Sequence, residues 1–256
     1  MTDAWAQAKT AADTAKTVIR SASTLDDYAA IAQLLDDTWG RGTGPDPSFI
    51  QAVAHAGNTV FVASRDDEVI GALVGVLGWE NGSHVHSHVA AVRPEARGGV
   101  GFALKLAQRA LALDHGVTEI RWTYDPLIRR NAHLNLEKLG ATVHAYLPDF
   151  YGVLDDAISG SDSSDRFEVS WQLDVPAVAE AIDRSIARTE LTHADFGMPS
   201  HGIRFDLHSD YEALRRENPD AAAEFRAASR AVFEPAFAEG LAVTFVNGGY
   251  VFTSAG

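Results

Sequence analysis

Three imidazoles and a glycine-rich turn are the parts of this 256-residue chain that could do chemistry. His84, His86 and His88 occupy alternate positions in Ser83-His-Val-His-Ser-His-Val-Ala-Ala-Val92, which alternates like a half-buried strand. On a strand, that spacing puts all three on one face. A neutral imidazole, with its own pKa of ~6.5, suits removal of a proton from an amine. His88, nearest the turn, is the first candidate for a general base, and His86 the second. The same histidines would equally decorate a solvated sheet face. Zinc is a poor fit, because ~13 Å of strand is too long for three bonds of ~2 Å. Ser87 has no nucleophile elbow around it, and alternation turns it away from its neighbours.

The turn follows directly, as Arg93-Pro-Glu-Ala-Arg-Gly-Gly-Val-Gly-Phe-Ala-Leu104. Beyond it Val100, Leu104, Leu106, Ala107, Leu111 and Leu113 recur at helical spacing, so the order is strand, glycine-rich bend, helix. Glycines let the backbone approach a ligand closely, and the unpaired N–H groups of a helix start attract anions. A phosphate-bearing cofactor is the natural occupant. A connection that merely packs tightly is the plainer reading, since neither G-x-G-x-x-G nor Gly-Lys-Ser/Thr can be written across it.

The context carries more. Val92-x-Pro-Glu-x-Arg-Gly-Gly-x-Gly, a helix, and then the strand Thr118-Glu-Ile-Arg-Trp-Thr123 resemble the acetyl-CoA-binding motif of the GNAT acyltransferases. Asn131-Ala-His-Leu-Asn-Leu-Glu-Lys-Leu-Gly-Ala141 is similar to that family's next helix. His86-Ser-His88, Trp122-Thr-Tyr-Asp-Pro-Leu127 and Asp149-Phe-Tyr-Gly152 look like a branch of predicted acyltransferases within it. The resemblance implies an α/β (α+β) fold with a mixed, mostly antiparallel central sheet flanked by helices. It spans residues 17–174, between an N-terminal helical extension (1–16) and a C-terminal α/β extension (175–256) that lids the acceptor site or supports dimerisation.

Acyl transfer from a thioester to an amine needs the cofactor held, the carbonyl polarised, the ammonium deprotonated and the thiolate stabilised. The resemblance places pantetheine along Ala91 and Val92 and the pyrophosphate on Arg97, Gly98, Gly99, Val100, Gly101, Phe102 and Ala103. Asn131 and Asn135, four apart on a helix, would bond pantetheine or substrate, although Asn131 would also serve as an N-cap. The turn is one residue shorter than the family's usual Arg-Gly-x-Gly-x-Gly. The tyrosine that often protonates the thiolate is replaced by Leu136, leaving Tyr151, Tyr146 and Tyr124 as substitutes, Tyr151 first. Solvent would serve otherwise.

Composition limits the partners. The net charge of −14 disfavours nucleic acid and anionic membrane, and favours a cationic or zwitterionic acceptor. Against that background Arg93, Arg97, Lys105 and Arg109 are the expected source of a local positive site. There is no cysteine, so thiolate nucleophiles and Cys-ligated metals are excluded. No apolar run approaches the ~20 residues of a membrane span, and the first residues lack a signal-peptide pattern; a cytoplasmic location is expected.

Elsewhere, Thr24 caps a helix to Trp39, another runs from Pro47 to Ala56, and hairpins are expected over Asp66-Asp67-Glu68 and Asn247-Gly-Gly. A strand covers Arg166–Leu173 and helices cover about 176–188 and 220–239, with an irregular region between them. The reading is an enzyme transferring acyl groups other than amino-acyl groups, from acetyl-CoA, succinyl-CoA or another acyl-CoA to a small-molecule amine such as an amino acid. It needs no metal and has a homodimer as an option. Its alternatives are a non-catalytic acyl-CoA-binding or assembly protein and a protein N-acetyltransferase.

Overall fold

The computed structural model describes residues 4–42, 44–152, 154, 162–187 and 202–254. Gly160, Ser161, Arg188 and Met198 to His201, which the sequence assigns to loops and a helix end, lie outside them. Two compact units emerge, Met1–Trp122 with Gln172–Ala179, and Thr123–Trp171 with Glu180–Gly256.

The first unit runs α1 (Ala4–Thr14), β1 (Val18–Ser21), α2 (Leu25–Trp39), α3 (Pro47–His55), β2 (Thr59–Arg65), β3 (Glu68–Gly78), β4 (His84–Val92), α4 (Val100–Asp114) and β5 (Glu119–Tyr124). The last two residues of β5 belong to the second unit. Its strands lie in the order β1-β2-β3-β4-β5. The first three pairings are antiparallel and β4–β5 is parallel, giving the mixed, mostly antiparallel sheet expected.

Local chemistry sets the boundaries. The Thr24 hydroxyl accepts from Asp27 N–H while the Asp27 carboxylate accepts from Thr24 N–H, a capping box at the start of α2. Asp46 caps α3, with Pro47 at its first position. Asp66 and Asp67 both have positive φ, 49° and 62°, as a two-residue hairpin turn requires, so Glu68 begins β3 instead of lying in the turn.

The strands' alternation feeds two helical layers. Ile31, Leu34, Leu35, Ile50 and Val53 of α2 and α3 pack with Val60, Val62, Ala72, Val74 and Ala91 on one face. On the other face a Cβ at Gly71 would lie 3.1 Å from Val100 and 3.3 Å from Leu104, so α4 sits close against β3. Gln7, Ala8, Ala11 and Ala12 of α1 are buried, and α1 packs on α4; the alanine-rich N-terminus is thus a helix covering α4's outer side. With sheet on one side and α1 on the other, eleven of the fifteen α4 residues are buried.

The second unit holds α5 (Arg129–Ala132) and a π-turn over His133–Lys138, then β6 (Thr142–Leu147), β7 (Arg166–Gln172), α6 (Pro176–Ala187, shared with the first unit) and β8 (Ile203–Asp206). After these come α7 (Tyr211–Glu217), α8 (Pro219–Ala238), β9 (Ala242–Val246) and β10 (Gly249–Thr253). β6 and β7 pair antiparallel, and β8-β10-β9 form a separate three-stranded sheet. Asn247 and Gly248, with φ of 51° and 81°, make the final turn, and Gly249 already belongs to β10. β8 and α7 fall where the sequence reads as irregular.

Aromatic rings fill this unit. Phe167, Phe233, Tyr250 and Phe252 are fully buried, with centroids 5.1–6.4 Å apart in the contacts Phe167–Phe233, Phe233–Phe252 and Tyr250–Phe252. Such pairs contribute ~0.5–1.5 kcal/mol each beyond their area burial. Beside them lies a buried charge network. Arg226 grips Asp125 through Nη1 (3.0 Å) and Nη2 (2.9 Å), and Asp162 through Nε (3.2 Å) and Nη2 (2.7 Å).

Candidate active site

In the first unit β4 changes its surroundings halfway along. Val85 pairs with Ile120 and His86 with Arg121 on β5, while the β3 pairing continues to Val92. From Ser87 onward β4 therefore has a neighbour on the β3 side and, among the described residues, no ladder partner on the β5 side. The register with β3 slips at the same place: Val74 opposes Val89 but Val76 opposes His86, leaving Gly75 against Ser87 and His88. This is a β-bulge, which re-aims side chains beside it. A Cβ on Gly75 would lie 2.5 Å from Gln108 Nε2, 2.6 Å from Thr59 Oγ1 and 3.0 Å from the His86 carbonyl, so only glycine fits there.

The free edge leads to the turn. Pro94–Ala96 form one 3-10 turn, and Gly98 and Gly99 then take φ of 124° and 115°. Gly99 stands at the N-cap of α4, and no side chain caps that helix. The first N–H groups of α4 have no intrahelical acceptor by construction, so they remain donors for an anion. Ala91 and Val100 are buried, Val92 and Gly101 half-buried, and Phe102 and Ala103 turn into the core. Those last residues would serve a ligand through their backbone.

The expected cluster of four cations is not what the structure builds. Arg93 donates to the Val69 carbonyl and pairs with Glu68 at 3.6 Å. Arg109 is buried, donating to the Leu173 carbonyl (2.7 and 3.0 Å) and to Gln7 (3.0 Å). Lys105 is buried as well. Arg97 alone of the four is exposed at the turn, with no hydrogen bond or ion pair on its guanidinium among the described residues.

The histidines also separate. His84 is buried, its Nδ1 lies 3.0 Å from the Gly82 carbonyl, and its ring sits where a Cβ of Gly78 would be. It holds the β3–β4 connection. His86 is half-buried and His88 exposed, their ring centroids 6.2 Å apart. Burial lowers the pKa of both; His88, His84 and Lys105 lower that of His86 further. Neutral imidazoles, the form a base needs, are thus favoured.

The remaining candidates belong to the second unit. Tyr151 is exposed, its hydroxyl 3.4 Å from Thr123 Oγ1. Tyr146 donates to Asp165 at 2.6 Å, and the Tyr124 hydroxyl is buried 3.2 Å from that of Tyr250. Burial raises the pKa of both phenols, so neither is a ready acid. Asn131 begins no helix, since Ile128 holds the N-cap. The π-turn changes the helical phase, as Leu139 N–H reaches back to Leu134 and Ala141 N–H to Asn135. Asn135 is accordingly buried while Asn131 stays half-buried. Trp171 is fully buried and donates to the Leu139 carbonyl. No group of three or more His, Asp or Glu suited to a metal occurs among the described residues. No helix there is long and apolar enough to cross a membrane.

Residues 28–141 match the family model described as the acetyltransferase (GNAT) family. Among solved structures, yncA, a putative acetyltransferase from Salmonella typhimurium with its cofactor acetyl-CoA, is 21% identical with a TM-score of 0.50, over 62% of this chain and 95% of its own. The ribosomal-protein-S18-alanine N-acetyltransferase from Escherichia coli is 15% identical with a TM-score of 0.50, over 62% and 95%. Chaetomium thermophilum Naa20 in complex with a bisubstrate analogue is 20% identical with a TM-score of 0.50, over 69% and 92%. At such identities the likeness concerns the fold. No curated protein matches the chain.

Proposed function

From the match of residues 28–141 to the acetyltransferase (GNAT) family model, we propose that the protein is an acyl-CoA-dependent N-acyltransferase acting on a small-molecule amine by direct transfer. The observation that supports this best is the coincidence of three features along β4: an edge free from Ser87 to Val92 among the described residues, an uncapped helix start behind Gly98-Gly99, and a half-buried and an exposed histidine at the bulge. Six strand residues extend over roughly 17–20 Å, room for a pantetheine arm running from phosphates on the turn to a thioester at the bulge. Backbone N–H groups of residues 98–103 and the Arg97 guanidinium would hold the phosphates. His88, or His86 behind it, would take the proton from the incoming ammonium.

The lone exposed Arg97 suits an anionic cofactor, and the net charge of −14 suits an acceptor that arrives as a cation. An amino acid or similar metabolite meets that description, and acetyl or succinyl is the proposed acyl group. The test is an assay of thiol release with acetyl-CoA and succinyl-CoA against a panel of small amines and N-terminal peptides, with product masses determined. N-acylated small amine is expected. Acylated peptide alone would move the reading to a protein N-acetyltransferase, and no product with any acceptor would leave only a binding role.

A further inference from the structure

Three residues meet where β4 and β5 part. The last paired residues are His86 and Arg121, and the next on each strand, Ser87 and Trp122, turn toward α4. Lys105 of α4 reaches between them. Its Nζ donates to Ser87 Oγ at 2.8 Å and stands 3.7 Å from the centroid of the Trp122 ring. The lysine is 5% exposed, and no carboxylate pairs with it among the described residues. Lysines are almost never buried without a pair, because transfer of the ammonium out of water is costly. One turn further, Gln108 is fully buried beneath Gly75, with Nε2 donating to Thr59 and Oε1 without a partner among the described residues. The inner face of α4 is thus polar under the bulge, where apolar packing would be cheaper.

We propose that Lys105 is a catalytic residue, the acid that protonates the thiolate leaving the thioester. This rests on the acyl-CoA reading above and fills the place for which Leu136 offers no acid. The amine lone pair attacks the thioester carbonyl carbon, a C–N bond forms, and the C–S bond breaks with its electron pair going to sulfur. The Lys105 ammonium gives its proton to that sulfur, leaving a neutral amine and a thiol. The histidine base takes a proton from the acceptor, and Lys105 is reprotonated as nitrogen loses its second. Net, a thioester and an ammonium yield an amide, a thiol and one released proton. Burial pushes the Lys105 pKa down to about 7, which suits an ammonium that must release its proton and regain it.

The surroundings leave Lys105 to act alone. β4 brings His84, His86 and His88; β5 brings Arg121, paired with Glu119 at 2.6 Å; α4 brings Arg109 and, at its last residue, Asp114, which accepts from Trp5 Nε1 at 2.6 Å. β2 and β3 carry charge only at Arg65 and Glu68, next to their shared turn, and α1 only at the exposed Lys9–Asp13 pair.

The test uses the thiol of bound CoA, followed by thiolate ultraviolet absorbance as pH is raised, together with pH profiles of kcat. In the native protein the bound thiol should ionise below the value for free CoA, and kcat should fall on the alkaline side as Lys105 loses its proton. Lys105→Met should return the thiol to its free value, abolish the alkaline limb and lower kcat ~10–100-fold, with CoA affinity retained. Ser87→Ala is the second variant: loss of the acceptor disfavours the ammonium, so the alkaline limb should move to lower pH. A CoA thiol that titrates alike in the native protein and Lys105→Met overturns the assignment, as does an alkaline limb removed by Tyr151→Phe instead. Absence of CoA binding in the native protein overturns the acyl-CoA reading itself, and the assignment with it.

Discussion

His88→Ala is expected to lower kcat by ~10²–10⁴-fold while acyl-CoA affinity stays as it was, the signature of a lost general base. His88 is exposed at the bulge, 6.2 Å from His86 between ring centroids. The direction of the pH dependence follows from burial. Both imidazoles are held below 6.5, and each acts as a base only when neutral. Activity should therefore rise with pH along a limb whose midpoint lies below ~6.5, and be level with respect to this group at neutrality. If His86→Ala removes that limb and His88→Ala does not, the base is His86. Full turnover in both variants would end the assignment.

Arg226→Ala should be the most destabilising single truncation in the second unit. The guanidinium is 4% exposed and makes four hydrogen bonds to Asp125 and Asp162, whose side chains are 11% and 6% exposed. Its removal leaves two buried carboxylates with Arg215, at 3.4 and 3.3 Å, as the remaining cation that faces both among the described residues, beside neutral donors from Leu127 N–H to Asp125 and from the Tyr211 hydroxyl to Asp162, each at 3.0 Å. Breaking such a buried pair costs ~3–5 kcal/mol, and for a chain of this length 1 kcal/mol moves Tm by roughly 2–4 °C. A fall of ~6–20 °C is expected by calorimetry. Replacing Asp125 and Asp162 by Asn in the same variant should recover part of it, because the charges rather than the packing carry the cost. A melting point unchanged by Arg226→Ala would show that the network contributes nothing net.

How much of this was legible in the sequence depends on how local the determinant is. The Thr24 cap and the Asn247-Gly248 turn act within a few residues, and both are found where the sequence places them, to within a residue. The strand–turn–helix from His84 to Asp114 is also local in origin. What long-range packing decides was not legible. Lys105 and Arg109 interrupt the apolar stripe of α4 and read as part of a local positive site, but α1 covers one side of that helix and the bulge lies beneath the other, so both are buried. A buried lysine looks the same as an exposed one until its neighbours are known. The bulge at Gly75 likewise needs the partner strand: alternation alone puts His84, His86 and His88 on one face, and a register slip gives each a different environment. β8, with four residues, and α7, with seven, are too short for a period to stand out. The π-turn over His133–Lys138 has no compositional mark, and the i, i+4 relation of Asn131 and Asn135 holds only for a regular helix.

The acyl-CoA reading stands or falls on the turn at Gly98-Gly99. Calorimetric titration of the protein with acetyl-CoA, succinyl-CoA and free CoA tests it most directly, with Gly99→Ala as the control. At φ 115° an alanine is strained, and the uncapped start of α4 would have to move. Saturable binding of about one CoA per chain is expected in the native protein, weakened at higher salt because phosphates meet Arg97 and backbone N–H groups, and lost or much reduced in Gly99→Ala. No binding of any of the three by the native protein would contradict it.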